Sequence, residues 1–483
     1  MIRPSLLMLA GIVGTSLLNL MSVNAAETAV PAADGMTGKV FAGYQGWYRT
    51  PADGSGLGWE HWETYEEVFM PGYAGIDYWP YIDELDADEK YPTSFDYADG
   101  STAHVYTSQN PKTVERHFKW MKEYGIDGVF LQRFAHDVLE GGHHQWEMLQ
   151  PSNNKILEYV QKGAQAHGRA YSIMYDLSGI RLNEIGMVMD DWRGLVDRLD
   201  LLNDSNYLHE DGKPLVAIWG VGFSDGTRKY TLDEVSQLID FLKNDPKYGG
   251  CSVLLGVPTY WRTLRNDAVS DPKLHDVIRS ADALLPWTVG RFSGSKTALE
   301  RGKTYVAEDQ AWCDENGVHY LPLAFPGFSW ANRYVKENAK FNHIPREDGL
   351  FLWSQAIAAK RAGADTVYLA MFDEMDEGTQ IFKISNNPPV GKTKFLTYEP
   401  HAPDFYLRLS GAIGKMLRGE IPVIETLPLS FYTPISVLPG TLSLKPNPST
   451  KYDQLFWHHR LCPYGHLRSY PSRDWLRSQK QSF

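Results

Sequence analysis

Along most of this chain, short apolar runs alternate with stretches in which apolar residues recur every three or four positions. The short runs, rich in β-branched and aromatic residues, read as strands buried on both faces; the wider spacing is that of helices with one apolar face. The first predicted strand is Lys39-Val-Phe-Ala-Gly-Tyr44, followed by a loop rich in Gly, Pro and Trp that reaches about Tyr106. A helix is predicted over Pro111 to Tyr124, with Val114, Phe118 and Met121 on one face and Gly125 as its stop. Further strands are predicted at Gly128–Arg133, Ala170–Tyr175, Leu215–Trp219, Ser252–Val257, Ala283–Trp287, Tyr320–Phe325 and Thr366–Phe372. Helices are predicted at Asn154–Ala166, Trp192–Leu202, Leu232–Leu242, Gly349–Ala362 and Phe405–Leu417.

Strands alternating with helices predict a parallel sheet with crossover connections, and eight of them over this length predict a (β/α)₈ barrel spanning residues 38–425. A doubly wound open sheet is the rival, but no Gly-rich dinucleotide fingerprint follows the first strand. Residues 1–25 read as a secretory leader: Arg3, the apolar stretch Leu6 to Leu20, then small residues around Ala25. We therefore expect a secreted or periplasmic protein. Residues 428–483 lose the alternation and carry His458, His459, Arg460, Arg468, Arg473 and Arg477, which predicts a poorly packed basic tail.

Charge and composition narrow the partners. A formal net charge of -12 argues against nucleic acid or an anionic membrane surface. The chain holds 15 Trp and 27 Tyr, a surplus that suits either sugar-ring contacts or a large aromatic core. Its 3 cysteines, Cys251, Cys313 and Cys462, allow at most one bridge and show no CxxC pairing, so no zinc site is expected.

In such a barrel the chemistry sits at the C-terminal ends of the strands. The candidates there are Tyr44 and Trp47 after the first strand, Arg133 at the second, Asp176 at the third and Trp219 at the fourth. Trp261 and Arg262 follow the fifth, Arg291 the sixth, and Trp330 the seventh. Each has a structural alternative: the arginines and Asp176 in ion pairs, the aromatics in the core. His143-His144 reads as a surface loop rather than a metal site. The eighth strand runs into Asp373-Glu-Met-Asp-Glu-Gly-Thr379. Glu374 and Glu377, three apart, can face one pocket, while Asp373 and Asp376 would point elsewhere. Cleaving a glycosidic bond needs such a pair, one acid to protonate the leaving oxygen and one to act at the sugar. A solvated loop or a Ca²⁺ site is the alternative reading of the acidic run.

Glu374-Met-Asp-Glu-Gly-Thr-Gln-Ile381 resembles the E-W-H-E-G-T-Q-I motif of glycoside hydrolase family 99, the endo-acting α-mannosidases and mannanases, and the bacterial family 71/99-like proteins. The resemblance extends from about Val40 to Gly419 through Phe41-Ala-Gly-Tyr-Gln-Gly-Trp47, Tyr124-Gly-Ile-Asp-Gly128, Tyr175-Asp-Leu-Ser-Gly179 and Pro326-Gly-Phe-Ser-Trp330. It implies a (β/α)₈ barrel, an α-linked polysaccharide or oligosaccharide substrate, a monomer, and no metal or cofactor. It further implies retention of configuration: Glu374 acts as base on the substrate's own 2-hydroxyl, and Glu377 as general acid and then base. The chain departs from the motif at Met375-Asp376, where the family has Trp-His. A non-catalytic glycan-binding protein on a hydrolase-derived barrel is the second expectation, and a metal held by the acidic run the third.

Overall fold

The structure, a computed structural model, describes residues 33–334 and 339–428. The predicted leader and, past Pro428, the predicted tail lie outside the described residues. The central sheet has ten strand segments; one, His209–Glu210, is a short antiparallel appendage, and two are halves of one strand, which leaves eight barrel strands. They are β1 (Val40–Tyr44), β2 (Gly128–Phe134), β3 (Ala170–Asp176), β4 (Lys213–Trp219), β5 (Ser252–Pro258), β6 (Ala283–Trp287), β7 in two pieces (His319–Tyr320 and Leu323–Ala324) and β8 (Val367–Leu369). All pair in parallel with their sequence neighbours, and β1 pairs with β8. The first piece of β7 bonds to β6 and the second to β8, so the sheet closes through a strand interrupted at Leu321-Pro322. Proline has no N–H for a ladder, which explains why the predicted continuous strand Tyr320–Phe325 is broken. The chain is a (β/α)₈ barrel.

Strand parity divides the core in two. Phe41, Phe130, Ala170, Met174, Leu215, Ala217, Leu254 and Tyr368 pack together inside the barrel. The residues between them, Val40, Ala42, Val129, Tyr171, Ile173, Val216, Ile218, Val253 and Leu255, pack with the helices outside. Both faces are therefore apolar, and the strands read as unbroken hydrophobic runs.

The helix layer is α1 (Pro111–Tyr124), α2 (Trp146–His167), α3 (Ile185–Leu199), α4 (Leu232–Asn244), α5 (Lys273–Arg279), α6 (Ser295–Arg301, continued by a π turn Gly302–Val306 and Ala307–Asn316), α7 (Leu350–Ala362) and α8 (Phe405–Leu417). α1 shows why prediction succeeds: Asn110 caps Lys112 N–H at 3.0 Å, Pro111 opens the helix, and Gly125 ends it at φ 76°. α3 was placed too late by the pattern, because Asp200, in the left-handed region at φ 51°, stops it at Leu199. α5 and α6 were not predicted. Among the described residues no helix is long and apolar enough to cross a membrane.

Candidate active site

Past β8 the chain folds back, so that Met371 N–H bonds Thr379 O at 3.1 Å and Ile381 N–H bonds Met371 O at 3.0 Å. The turn between is held by Gly378 N–H on Met375 O (3.1 Å) and Gln380 N–H on Glu374 O (3.1 Å). Gly378 has φ +66°, and a Cβ there would lie 2.8 Å from the backbone N and O of Ser329. Only glycine fits this close approach to the loop after β7. The turn sends its side chains in different directions, and its four acids acquire four environments.

Asp373 is fully buried and accepts the backbone N–H groups of Gln45 and Gly46, each at 2.8 Å. It ties the loop after β1 to the turn after β8. Burial pushes its carboxyl to about 7 against those two donors. Glu374 accepts Gln45 Nε2 on one oxygen at 3.0 Å and Thr379 Oγ1 on the other at 2.9 Å. Burial raises its carboxyl well above the usual range, and the charge of Glu377 raises it further. Asp376 is also buried, which alone would raise it, but Arg333 and His61 on its Oδ2 outweigh burial and hold it below the usual value. Tyr48 OH donates to Asp376 Oδ1 (3.4 Å) and accepts Met375 N–H (2.8 Å), bracing the turn. Glu377 is half-buried, and among the described residues its carboxyl has no hydrogen-bond partner. Burial and then Asp376 push it to about 7, with Arg333 opposing. Because burial and then the charge of Glu377 raise Glu374, the two carboxyls share protonation near neutral pH, one holding a proton while the other gives it up. That is what a general acid–base pair requires.

Beside the pair lies a pocket lined by Gln45, Trp47, Glu60, His61, Gln132, Phe134, Asp137 and His143 among others. Trp47 stacks on His61, centroids 3.7 Å apart, and more loosely on Phe134 at 5.6 Å. Its Nε1 is buried without a partner. His143, expected in a surface loop, is buried in the pocket wall.

Strand parity corrects two expected substrate contacts. Tyr44 and Arg133 fall on the outward face. Tyr44 OH meets His117 Nδ1 of α1 at 2.8 Å, and Arg133 makes a two-pronged ion pair with Asp191 of α3 at 2.7 and 2.6 Å. Three more are structural. Trp261 is fully buried edge-on against Trp312, Arg262 pairs with Asp309 and Glu308, and Arg291 pairs with Asp267. Trp219 points inward but is covered by Arg228, whose guanidinium lies 5.1 Å from its ring, and by Trp287. Asp176 points inward, accepts Ser178 N–H at 2.7 Å, and forms no ion pair among the described residues. Trp330 packs edge-on against Phe328 and Tyr334 on the loop after β7. The structure thus brings Glu374, Glu377 and Trp47 to one end of the barrel with Asp176.

Gln45, Tyr48, His61, Arg333 and Asp137 escaped the sequence reading. Gln45 was legible, since parity from Phe41 and Gly43 carries inward to it. Arg333 and His61 come from loops, and nothing in their spacing marks them. Arg333 is presented by a loop that buried Asp77 organises, accepting Ala331 N–H and Asn332 N–H at 2.8 Å each.

No family model matches the chain. A glycoprotein endo-alpha-1,2-mannosidase-like protein of Danio rerio is 32% identical over 128 residues, 25% of this chain and 28% of that protein. The glycoprotein endo-alpha-1,2-mannosidase of Mus musculus is 28% identical over 115 residues, 23% of this chain and 24% of that protein. The matches therefore span about a quarter of the length of these curated relatives. Among solved structures, the GH99 endo-alpha-mannosidase of Bacteroides thetaiotaomicron superposes with a TM-score of 0.56 at 16% identity, over 80% of this chain and 98% of that one. In fold over most of its length, and in sequence over the matched segment, the chain is similar to the family 99 endo-α-mannosidases.

Proposed function

We propose that this protein is a secreted, retaining glycoside hydrolase acting on an α-linked glycan. The observation that carries the reading is the Glu374–Glu377 pair, two raised carboxyls at the C-terminal end of the barrel beside a pocket. Glu374, with a donor on each oxygen, is suited to hold its charged form once Glu377 carries the proton. It then serves as base toward the sugar's 2-hydroxyl, which attacks the anomeric carbon. Glu377, whose carboxyl has no hydrogen-bond partner among the described residues, protonates the departing oxygen and afterwards activates the water that opens the intermediate. Arg333 is occupied by Asp376 and pulls Glu377 down only partly, leaving it able to carry a proton near neutral pH.

The test is a panel of α-mannans, α-glucans and arabinoxylans, with the released anomer followed by NMR. Release of the retained anomer from an α-linked member is expected, together with binding but no turnover of the matching 2-deoxy substrate. Inversion, or efficient turnover of the 2-deoxy sugar, would overturn the mechanism; no release from any member would overturn the activity.

A further inference from the structure

Between Glu374 and Glu377 this chain carries Met375-Asp376 where the family 99 motif has Trp-His, yet an indole and an imidazole stand beside the acid pair all the same. Both come from the long loop after β1. His61 Nδ1 lies 2.8 Å from Asp376 Oδ2, and the imidazole stacks on Trp47 with centroids 3.7 Å apart and an interplanar angle of 6°. The carboxylate is itself fixed, by Arg333 on the same oxygen and by Tyr48 OH on the other. Tyr48 also crosses the imidazole at 72°, centroids 6.2 Å apart. The backbone of His61 sits in the left-handed region at φ 63°, a conformation that a residue with a Cβ holds only where its surroundings fix it.

These contacts decide what the ring offers the pocket. An ionised carboxylate only accepts hydrogen bonds, so the single proton of a neutral His61 ring sits on Nδ1. Against burial, Arg333 and His61 hold Asp376 in that ionised form. Burial disfavours a second proton on the ring more than Asp376 and Glu60 favour it, and Arg333 acts in the same direction as burial. Nε2 is left with a bare lone pair. It lies 3.8 Å from Glu60 Oε1, too far for a hydrogen bond, on the side of the ring that faces this other lining residue of the pocket. The carboxylate behind the ring makes that lone pair a stronger acceptor. In the same wall Gln45 Oε1 and Trp47 Nε1 are buried without hydrogen-bond partners among the described residues, as expected of a surface that a ligand's polar groups complete. We propose that His61 Nε2 is a specificity contact that accepts a hydrogen bond from one hydroxyl of the bound glycan, and that Asp376 is the positioning residue that keeps the ring in its accepting tautomer. The proposal rests on the glycosidase reading of Glu374 and Glu377 but adds a demand of its own, a free hydroxyl other than the 2-hydroxyl on which Glu374 acts. A deoxy carbon offers Nε2 nothing, and a methyl ether or a carboxylate sets an acceptor against it.

Two measurements on the full chain test it. With the histidine nitrogens isotopically labelled, NMR near neutral pH is expected to show His61 as a neutral ring protonated on Nδ1, its signals assigned by their absence from His61→Gln. A ring protonated on Nε2, or on both nitrogens, would overturn the proposal without touching the glycosidase reading. Calorimetric titration of the Glu377→Gln chain, in which turnover does not intervene, then compares methyl α-mannoside and methyl α-glucoside with their 3-, 4- and 6-deoxy analogues. For a parent that binds, loss of one of these hydroxyls is expected to weaken binding about tenfold, the margin of one hydrogen bond to a buried acceptor. Adding His61→Phe, which keeps a flat ring against Trp47 but has no lone pair, should abolish that penalty. A penalty of equal size with and without His61, or no penalty at any position, would overturn the contact while leaving hydrolysis standing. Binding of neither parent by folded protein would overturn both readings.

Discussion

The two ends of the barrel treat buried charge in opposite ways. At the N-terminal floor, His319 at the start of β7 lies between two acids, 2.6 Å from Glu210 and 2.9 Å from Asp365. Glu210 also accepts Met36 N–H at 2.9 Å, and Lys39 is held by the carbonyls of Asp34 and Gly35. Although burial alone would lower it, the two acids raise His319 to about 10, and His319 in turn holds Asp365 below its usual value against burial. At the C-terminal mouth, Asp373, Glu374 and Glu377 are all raised, and the guanidinium among them belongs to Asp376. The mouth is the more deeply buried end, since Asp365 at the floor is partly exposed, and the partnering differs as well. Where each acid meets a donor of opposite charge, the fold gains stability; where acids crowd together, it keeps a transferable proton at a cost.

The sharpest way to break this contrast is to remove the mouth's acids singly. Glu374→Gln and Glu377→Gln are each expected to lower turnover about 10²–10⁴-fold, the usual loss for acid–base help. Near-native rates in either variant, measured as reducing ends released from an active substrate, would show that the chemistry lies elsewhere. In the wild type, turnover should fall as the pH passes about 7, where Glu377 gives up its proton.

Removing the floor's cation should do the reverse. His319→Gln leaves Glu210 and Asp365 without their shared partner and, with solvent screening the part-exposed Asp365, is expected to cost about 1–2 kcal/mol in denaturant unfolding near neutral pH, with little effect on turnover of the protein that remains folded. Because the folded-state value is raised, His319's contribution is full below its ordinary 6.5 and is lost as the pH rises through about 10. The variant and the wild type should therefore converge in stability above that pH. A difference that persists there would assign the effect to packing instead.

The smallest effect separates the two ends most directly. Glu377 titrates near 7 in the folded protein against an ordinary 4.5, so its contribution to stability is full below 4.5 and is lost as the pH rises through 7. Glu377→Gln should consequently raise stability by about 1 kcal/mol at pH values above 7 while abolishing turnover. A destabilised variant would mean that the carboxylate is structurally partnered after all.

Much of the frame was legible in the chain. Unbroken apolar runs gave the strands, and Asn110-Pro111 with Gly125 bounded α1 to the residue. The same unbroken runs concealed which side chains face inward, since both faces are equally apolar. Tyr44 and Arg133 were assigned to the mouth for that reason, although counting alternate positions from Gly43 and Gln132 places them outside. The acidic turn was visible because its residues are adjacent; Arg333 and His61 are brought to it by loops of no regular period. His61 sits at φ 63°, a conformation its residue type does not announce.

Asp373 joins Gln45 and Gly46 across 328 and 327 positions of sequence. At ordinary ribosomal speeds, on the order of tens of seconds separate the synthesis of the two partners. Until the later one arrives, Gln45 and Gly46 lack the carboxylate that holds their N–H groups, and Glu374 does not yet exist. A growing or prematurely ended chain therefore carries no trace of the site. Competence arrives in a single step with the last strand, so any activity in a preparation counts only molecules whose first and final barrel strands have met.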